Sequence, residues 1–340
     1  MDRVRVAVLS FWHVHAKDYA AEALAHPEVD LVGAWDEDAA RGASEAAARA
    51  VPFFARLDDL LGQNDVDGVV VTTATAAHGE VIPAAARAGK HVFSEKVIAP
   101  TLAEARLIVH ETEQAGITFM VSLPRLGAGA VRRIKEILAE GTLGKITHLR
   151  VRIGHEGSVR TVLNPEGWLP ERFYDPVAAG GGALIDLGAH PLYLARTLLG
   201  MPERVSAAYG SVTGRAVEDQ AVVTLHYPNG AIGVAEVSFV ARSALTIEVN
   251  GTAGNLLYGG SEPRLWVRRL QSATDSGEWT EDQALPPDDP SPFAQWITHL
   301  RQGTRSDANV QLALDLSALA EAANRAAAEQ RVVPVPARSM

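Results

Sequence analysis

The stretch Val4-Arg5-Val6-Ala7-Val8-Leu9, followed by Ser10-Phe11-Trp12-His13-Val14-His15 and the alanine-rich run Ala16 to Ala25, decides the fold. Six residues dominated by β-branched and apolar side chains make a strand, and the alanine run that follows favours helix. The same alternation recurs down the chain. Asp30 to Trp35 (DLVGAW), Gly68 to Thr73 (GVVVTT), His91 to Ser94 (HVFS) and Ile117 to Val121 (ITFMV) have strand length, and between them lie the helix-forming segments Ala39 to Ala50, His78 to Ala88 and Leu102 to Ala115. Strands this apolar are buried on both faces, so the alternation predicts right-handed βαβ units and a parallel, doubly wound sheet over residues 1–122. Gly89 and Gly116 stand where these helices should end.

Beyond Val121 the pattern changes, and residues 123–340 read as a second, α+β domain. Ala128 to Glu140 is a helix ended by Gly141, and Ile146 to Ile153 is an alternating strand. An irregular stretch from Gly154 to Gly182 leads to a helix over Ile185 to Leu199. From Arg204 follow the strand runs VSAAYGSV, AVVTLHY, AIGVAEVSF, LTIEVNG, NLLYGG and RLWVRR, with the hairpin signal Pro228-Asn229-Gly230 between two of them. This predicts a large, mostly antiparallel open sheet. Asp275 to Pro292 reads as an acidic, proline-rich loop, and Phe293 to Arg301 with Val310 to Gln330 as closing helices.

Composition narrows the function. The 340 residues are 47% hydrophobic and 21% charged, an ordinary globular balance. No apolar run reaches membrane-span length, and the N-terminus enters a strand rather than a signal peptide, so a cytoplasmic protein is expected. There are no cysteines, which removes thiolate nucleophiles and Cys-ligated metals. The formal charge of -10 argues against nucleic-acid or anionic-membrane partners. Residues 1–122 hold 10 basic and 18 acidic residues, so -8 of that total sits in the first domain.

In a doubly wound sheet a dinucleotide binds beyond the carboxyl end of the first strand, over a G-x-G-x-x-G turn. Here Ser10, Trp12 and His15 occupy the three glycine places. Asp36 closes the second strand, where a carboxylate bonds the adenosine ribose, and Asp36, Glu37 and Asp38 together would repel a 2′-phosphate and favour NAD over NADP. The same acidic run also suits a cap on the helix near Ala39. His13, His15, Glu95 and His190 invite a metal reading, but His13-Val14-His15 has no convincing partner set in the sequence, and no metal is expected.

The run Ala88-Gly-Lys-His-Val-Phe-Ser-Glu-Lys96 resembles the Glu-Lys-Pro segment of the glucose-fructose oxidoreductase, inositol dehydrogenase and rhizopine-catabolism family, Gfo/Idh/MocA; Val97 replaces its proline. Gly180-Gly-Gly-Ala-Leu-Ile-Asp186-Leu-Gly-Ala-His190 resembles the family's G-G-G-x-L-x-D-x-G-x-H. Val217-Glu-Asp-Gln, Tyr227-Pro-Asn-Gly and Asn250-Gly-Thr-Ala-Gly resemble its sheet-domain sequence. The likeness spans nearly the whole chain and departs at the glycine loop. Asp186 and His190 are four apart, which on one helix puts both on one face.

The resemblance implies an NAD(P)-dependent oxidoreductase acting on a secondary alcohol of a sugar, cyclitol or related polyol. His190 would be the acid/base, Lys96 would contact the nicotinamide ribose side and the reacting oxygen, and Asp186 would orient substrate. Ser10, Phe11, Trp12, Asp36, Thr73, Ala74, His78, Glu95 and Lys96 would hold the cofactor; Arg125, His155, Arg160, Trp168 and Tyr174 are weaker candidates to line the substrate pocket. A homodimer or homotetramer through the second-domain sheet is expected by the same resemblance. Two other readings stay open: a non-catalytic nucleotide or sugar sensor with a degenerate glycine loop, and a lyase or hydrolase that retains its NAD.

Overall fold

A computed structural model describes residues 3–270 and 277–336. In chain order the elements are β1 (Val4–Leu9), α1 (Ala16–Ala25), β2 (Val29–Trp35), α2 (Ala39–Ala48), β3 (Phe53–Phe54), α3 (Leu57–Leu61), β4 (Gly68–Val71), α4 (His78–Arg87), β5 (His91–Ser94), α5 (Leu102–Gln114) and β6 (Phe119–Val121). There follow α6 (Gly129–Glu140), β7 (Ile146–Gly154), α7 (Pro176–Ala179), α8 (Ala183–Asp186), α9 (Ala189–Leu199), β8 (Arg204–Gly210), β9 (Gln220–His226), β10 (Ile232–Ser238), β11 (Ser243–Gly251), β12 (Gly254–Gly259), β13 (Arg264–Arg269) and β14 (Trp279–Glu281). Helices α10 (Pro292–Gln302) and α11 (Asp307–Glu329) and a short β15 (Val333–Pro334) end the series.

The chain divides into two compact units. One holds the residues up to Leu123 with Pro290–Leu314; the other holds Pro124–Asp289 with the residues from Asp315 on. A boundary placed at residue 122 with everything after it in the second domain therefore needs one correction: Pro290–Leu314 groups with the first unit. The cause is packing. Phe293, Trp296 and Ile297 of α10 are fully buried in the first unit's core, where the rings of Phe293 and Trp296 each lie 5.8 Å from that of Phe93 in β5. Burying a side chain such as Phe93 or Phe293 contributes roughly 1.5–3 kcal/mol. A Cβ on Gly68 would lie 2.8 Å from the Trp296 ring, so β4 begins with the one residue that admits it.

The first unit's sheet is parallel throughout, in the order β3-β2-β1-β4-β5-β6. The order reverses between β1 and β4, which makes the carboxyl ends of those strands the ligand position of such a sheet. Gly89 and Gly116 follow α4 and α5 with φ of +72° and +67°, the left-handed conformation that ends a helix. The two-residue β3 and the five-residue α3 are too short to have shown as periodic runs.

The second unit carries a nine-stranded sheet, β14-β13-β12-β11-β7-β10-β9-β8-β15. Every pairing is antiparallel except that of β7 with β10. Gly230, at φ +84°, closes the hairpin between β9 and β10. Of the loop expected at Asp275 to Pro292, Asp275 and Ser276 lie outside the described residues; the remainder holds the edge strand β14 and the start of α10. Among the described residues no helix is long and apolar enough to cross a membrane.

Candidate active site

In the first unit, Ser10 follows β1 at φ +79°, a conformation few non-glycine residues adopt. The tight turn of the first fingerprint glycine is thus kept without the glycine. Ser10 Oγ accepts the Trp12 N–H (3.0 Å), the Ser10 N–H reaches Trp35 O (2.6 Å), and Thr72 Oγ1 donates to Ser10 O (2.6 Å). Phe11 and Trp12 are buried. The loop is fixed to β2 through Asp36, whose side chain is fully buried. Its Oδ2 accepts the Phe11 N–H (2.7 Å) and Arg41 Nε (2.9 Å); its Oδ1 accepts the Asp38 N–H (2.8 Å) and Arg41 Nη2 (2.6 Å). Four hydrogen bonds fill the acceptor capacity of a carboxylate, so Asp36 anchors the loop in this arrangement. Arg41 also pairs with Glu37 (2.8 Å). Asp38 caps α2 by accepting the Ala40 and Arg41 N–H groups, as its position before an alanine-rich helix suggested.

The β4–α4 connection carries Thr73 and Ala74, and His78 opens α4. Thr73 Oγ1 is buried with no hydrogen-bond partner, an orphaned polar atom beyond the switch-point strand and a fit for a polar ligand there. His78 is fully buried. Its Nδ1–H donates to Val97 O (3.1 Å) and Ile98 O (3.0 Å), tying α4 to the segment after Lys96, while its Nε2 has no partner. Burial holds the His78 imidazole below its ordinary pKa, so it is neutral. The Lys96–Val97 peptide is cis although Val97 stands in the family's proline place. Lys96 is buried, and its N–H donates to Glu95 Oε2 (3.1 Å).

Glu95 directly follows β5 in a fully buried setting that by itself would raise its pKa; His13, His15 and Lys96 outweigh burial and hold it well below the ordinary carboxylate range. His15 Nδ1 lies 3.0 Å and His13 Nδ1 4.0 Å from Glu95 Oε1, and Tyr19 Oη donates to the same oxygen. This corrects the sequence reading that left His13-Val14-His15 without a partner: the parallel pairing of β1, β4 and β5 brings Glu95 to it. Tyr19, missed in the sequence, follows His15 by four residues on α1, a spacing that shares a face. Burial and the Glu95 charge raise its pKa well above 10, so it is a neutral donor.

In the second unit, Asp186 and His190 do not share one helix. α8 stops at Asp186 and α9 starts at Ala189, with Gly188 between them, where a Cβ would lie 2.6 Å from Leu184 O. The G-G-G turn before α8 is held by Glu218, whose carboxylate accepts the Gly182 and Leu184 N–H groups (3.1 and 2.9 Å). His190 is buried, with Nδ1 2.9 Å from Tyr193 Oη, and Tyr193 Oη accepts the Arg125 N–H (3.0 Å). Tyr193 carries no motif signal in the sequence; its only sign is its place three residues after His190, which is contact distance along a helix. Of the remaining candidates, His155 stacks on Phe239 (4.9 Å) and lies 4.7 Å from the Trp168 ring. Tyr174 is buried, bonded to Ser158 Oγ (2.8 Å), with the Arg215 guanidinium 3.7 Å from its ring centre. Arg160 stands apart, exposed and paired with Glu166 (3.1 Å).

Residues 6–123 match the oxidoreductase family with an NAD-binding Rossmann fold, and residues 131–257 match the Gfo/Idh/MocA C-terminal domain. The chain is 30% identical over 247 residues to the 1,5-anhydro-D-fructose reductase of Ensifer adhaerens, covering 71% of this chain and 72% of that one. It is 31% identical over 206 residues to the myo-inositol 2-dehydrogenase of Thermotoga maritima, covering 58% of each. The crystal structure of GenD2 from gentamicin A biosynthesis, in complex with NAD, superposes with a TM-score of 0.81 at 26% identity, over 99% of this chain and 97% of that one. With a six-stranded parallel sheet, a mostly antiparallel second sheet and both domain signatures in sequence, the chain belongs to the Gfo/Idh/MocA family of NAD(P)-dependent oxidoreductases.

Proposed function

We propose that this oxidoreductase moves a hydride between NAD and a secondary alcohol carbon of a sugar, cyclitol or related polyol, with Lys96, His190 and Asp186 as its working side chains. The observation that carries the reading is an orphaned Thr73 hydroxyl just beyond β4, with the Lys96 turn just beyond its parallel neighbour β5, in a chain that also buries His190 against Tyr193. The bound dinucleotide supplies the hydride acceptor or donor at its nicotinamide ring. The Ser10–Trp12 turn, Thr73, Ala74, His78, Glu95 and Lys96 would hold it, with Asp36 fixing the turn.

For alcohol oxidation the protein must take the hydroxyl proton. When His190 Nδ1–H donates to Tyr193 Oη, Nε2 presents a lone pair and takes that proton; Lys96 holds the reacting oxygen by its ammonium charge. Reduction runs the same transfers backwards. Replacing His190 by Ala should lower kcat by roughly 10²–10⁴-fold, and unchanged turnover in a folded variant would end the proposal.

On this reading NAD is preferred over NADP because Asp36 and Glu37, directly after β2, put negative charge where a 2′-phosphate would lie and occupy Arg41, the cation that could otherwise meet it. Calorimetric titration with NADH and NADPH tests this; tighter NADPH binding refutes it. A homodimer or homotetramer through the second sheet is supported by β9, where Ala221, Val223 and Leu225 are buried and the alternate Val222 is exposed. Light scattering of the purified protein decides it.

A further inference from the structure

We propose that His13, His15 and Glu95 form a binding site for one divalent transition-metal ion of the zinc class, with its fourth position open to solvent or to an oxygen ligand. Their three ligand atoms lie within 4.8 Å of one another, and Glu95 Oε1 is 3.0 and 4.0 Å from the two Nδ1 atoms. Ligands bound at about 2.0–2.2 Å around a tetrahedral ion stand roughly 3.3–3.6 Å apart, a spacing that the two Glu95 distances bracket and that small side-chain rotations would reach. The set is also chemically coherent. Two imidazoles with one carboxylate suit zinc, cobalt or nickel and do not suit magnesium or calcium, which take oxygen ligands.

The site is built rather than accidental on three counts. Its ligands come from two different loops, the turn after β1 and the end of β5, so chain proximity does not explain their meeting. Glu95 and His13 are buried, while the His15 side chain is 39% exposed, which leaves one side open for an ion to enter. Glu95 is oriented from behind by Tyr19 Oη, itself 2.7 Å from Ser122 Oγ, the kind of outer hydrogen bond that fixes a metal-binding carboxylate. The ion would displace the proton shared between His15 Nδ1 and Glu95 and the weak 3.2 Å bond from the His15 N–H to His13 Nδ1. Both are local exchanges. A filled site would also place positive charge in a unit that carries a net -7.

The test is a titration of full-length, chelator-stripped protein with Co²⁺, read by visible absorption. The expected result is one cobalt per chain, displaced by one equivalent of Zn²⁺ and unaffected by excess Mg²⁺. His15→Gln and Glu95→Gln should abolish the band, and Tyr19→Phe should keep the stoichiometry while weakening affinity by roughly 10–100-fold. Because His15 is part-exposed, its variant is expected to fold, and a circular dichroism melt checks that. No saturable band, or an equal band in folded His15→Gln and Glu95→Gln proteins, would overturn the site. No cofactor or turnover enters the readout, so the result stands apart from the dehydrogenase reading.

Discussion

Truncating Arg41 tests whether Asp36 anchors the phosphate-side turn. In the native protein the Asp36 carboxylate is fully buried and accepts four hydrogen bonds, two from Arg41 and two from the Phe11 and Asp38 amides. Removing one partner of a buried ion pair commonly costs about 3–5 kcal/mol, because the other charge is left uncompensated. Here two amide donors remain, and Arg41 itself is about one-fifth exposed, so the loss should be smaller. Two charge-assisted bonds at roughly 1.5 kcal/mol each put Arg41→Ala at about 2–3 kcal/mol. Arg41→Lys keeps a charge but not the fork, and should recover less than half of that loss. Urea unfolding of the three proteins measures both. A loss below about 0.5 kcal/mol for Arg41→Ala, or full recovery by Lys, would refute the idea that this pair holds the turn.

Ser10→Val places a β-branched residue at φ +79° and removes the Trp12 N–H acceptor; a stability loss of about 1–3 kcal/mol is expected, while Ser10→Gly should stay within about 1 kcal/mol of the parent because relief of the backbone offsets the lost bond. Tyr193→Phe should lower kcat about tenfold, the equivalent of one oriented hydrogen bond, and displace the acidic limb of the kcat–pH profile while leaving KM nearly unchanged; an unmoved profile denies Tyr193 its role in positioning His190. The buried His78 and the half-buried His91 have folded pKa values below the unfolded 6.5, so the unfolded chain binds more protons as pH falls below that value. Stability should therefore be complete above about pH 6.5 and decline below it by up to about 1.4 kcal/mol per pH unit through His78, with a smaller, solvent-screened share from His91, and His78→Gln should flatten the slope. Glu95, depressed instead, contributes stability that persists above about pH 4.3 and is lost only on further acidification.

What could be read from residues alone was whatever has a local cause. The β1 run, the alanine helices and their terminal glycines declare themselves because period and capping act over a few residues. Lys96 and His190 were found as motif positions. Trp296 was placed with the second domain because nothing in Phe293 to Arg301 says which apolar surface it will cover; Gly68, more than two hundred residues earlier, is the notch that receives it. Arg41 could be seen as an i+5 neighbour of Asp36 but not as the donor that fills it. The meeting of Glu95 with His13 and His15 depends on strand order, a property of the whole sheet.

The same separation of local from global explains the missing glycines. The first fingerprint glycine exists to adopt a positive φ, and Ser10 does so while its own Oγ takes the next available amide. Once Trp12 occupies the second position, the turn's amides are directed inward: Phe11 to Asp36, Trp12 to Ser10 Oγ, His13 to Thr72 O and His15 to His13 Nδ1. A turn so engaged is fixed by protein partners. On the proposed function the turn packs against the dinucleotide without donating to it, and its phosphates would be met by the first turn of α1, where His15 at the N-cap makes no side-chain cap bond, and by Lys96. Long-range attraction contributes little in a unit whose net charge, with Pro290–Leu314 included, is -7, and at physiological salt exposed charges more than about 8 Å apart are largely screened. If binding there is made by contact, titration calorimetry with NADH should show a loss of affinity of at least about tenfold for Lys96→Ala and little change with ionic strength; a steep salt dependence, or unchanged affinity in the variant, would refute it.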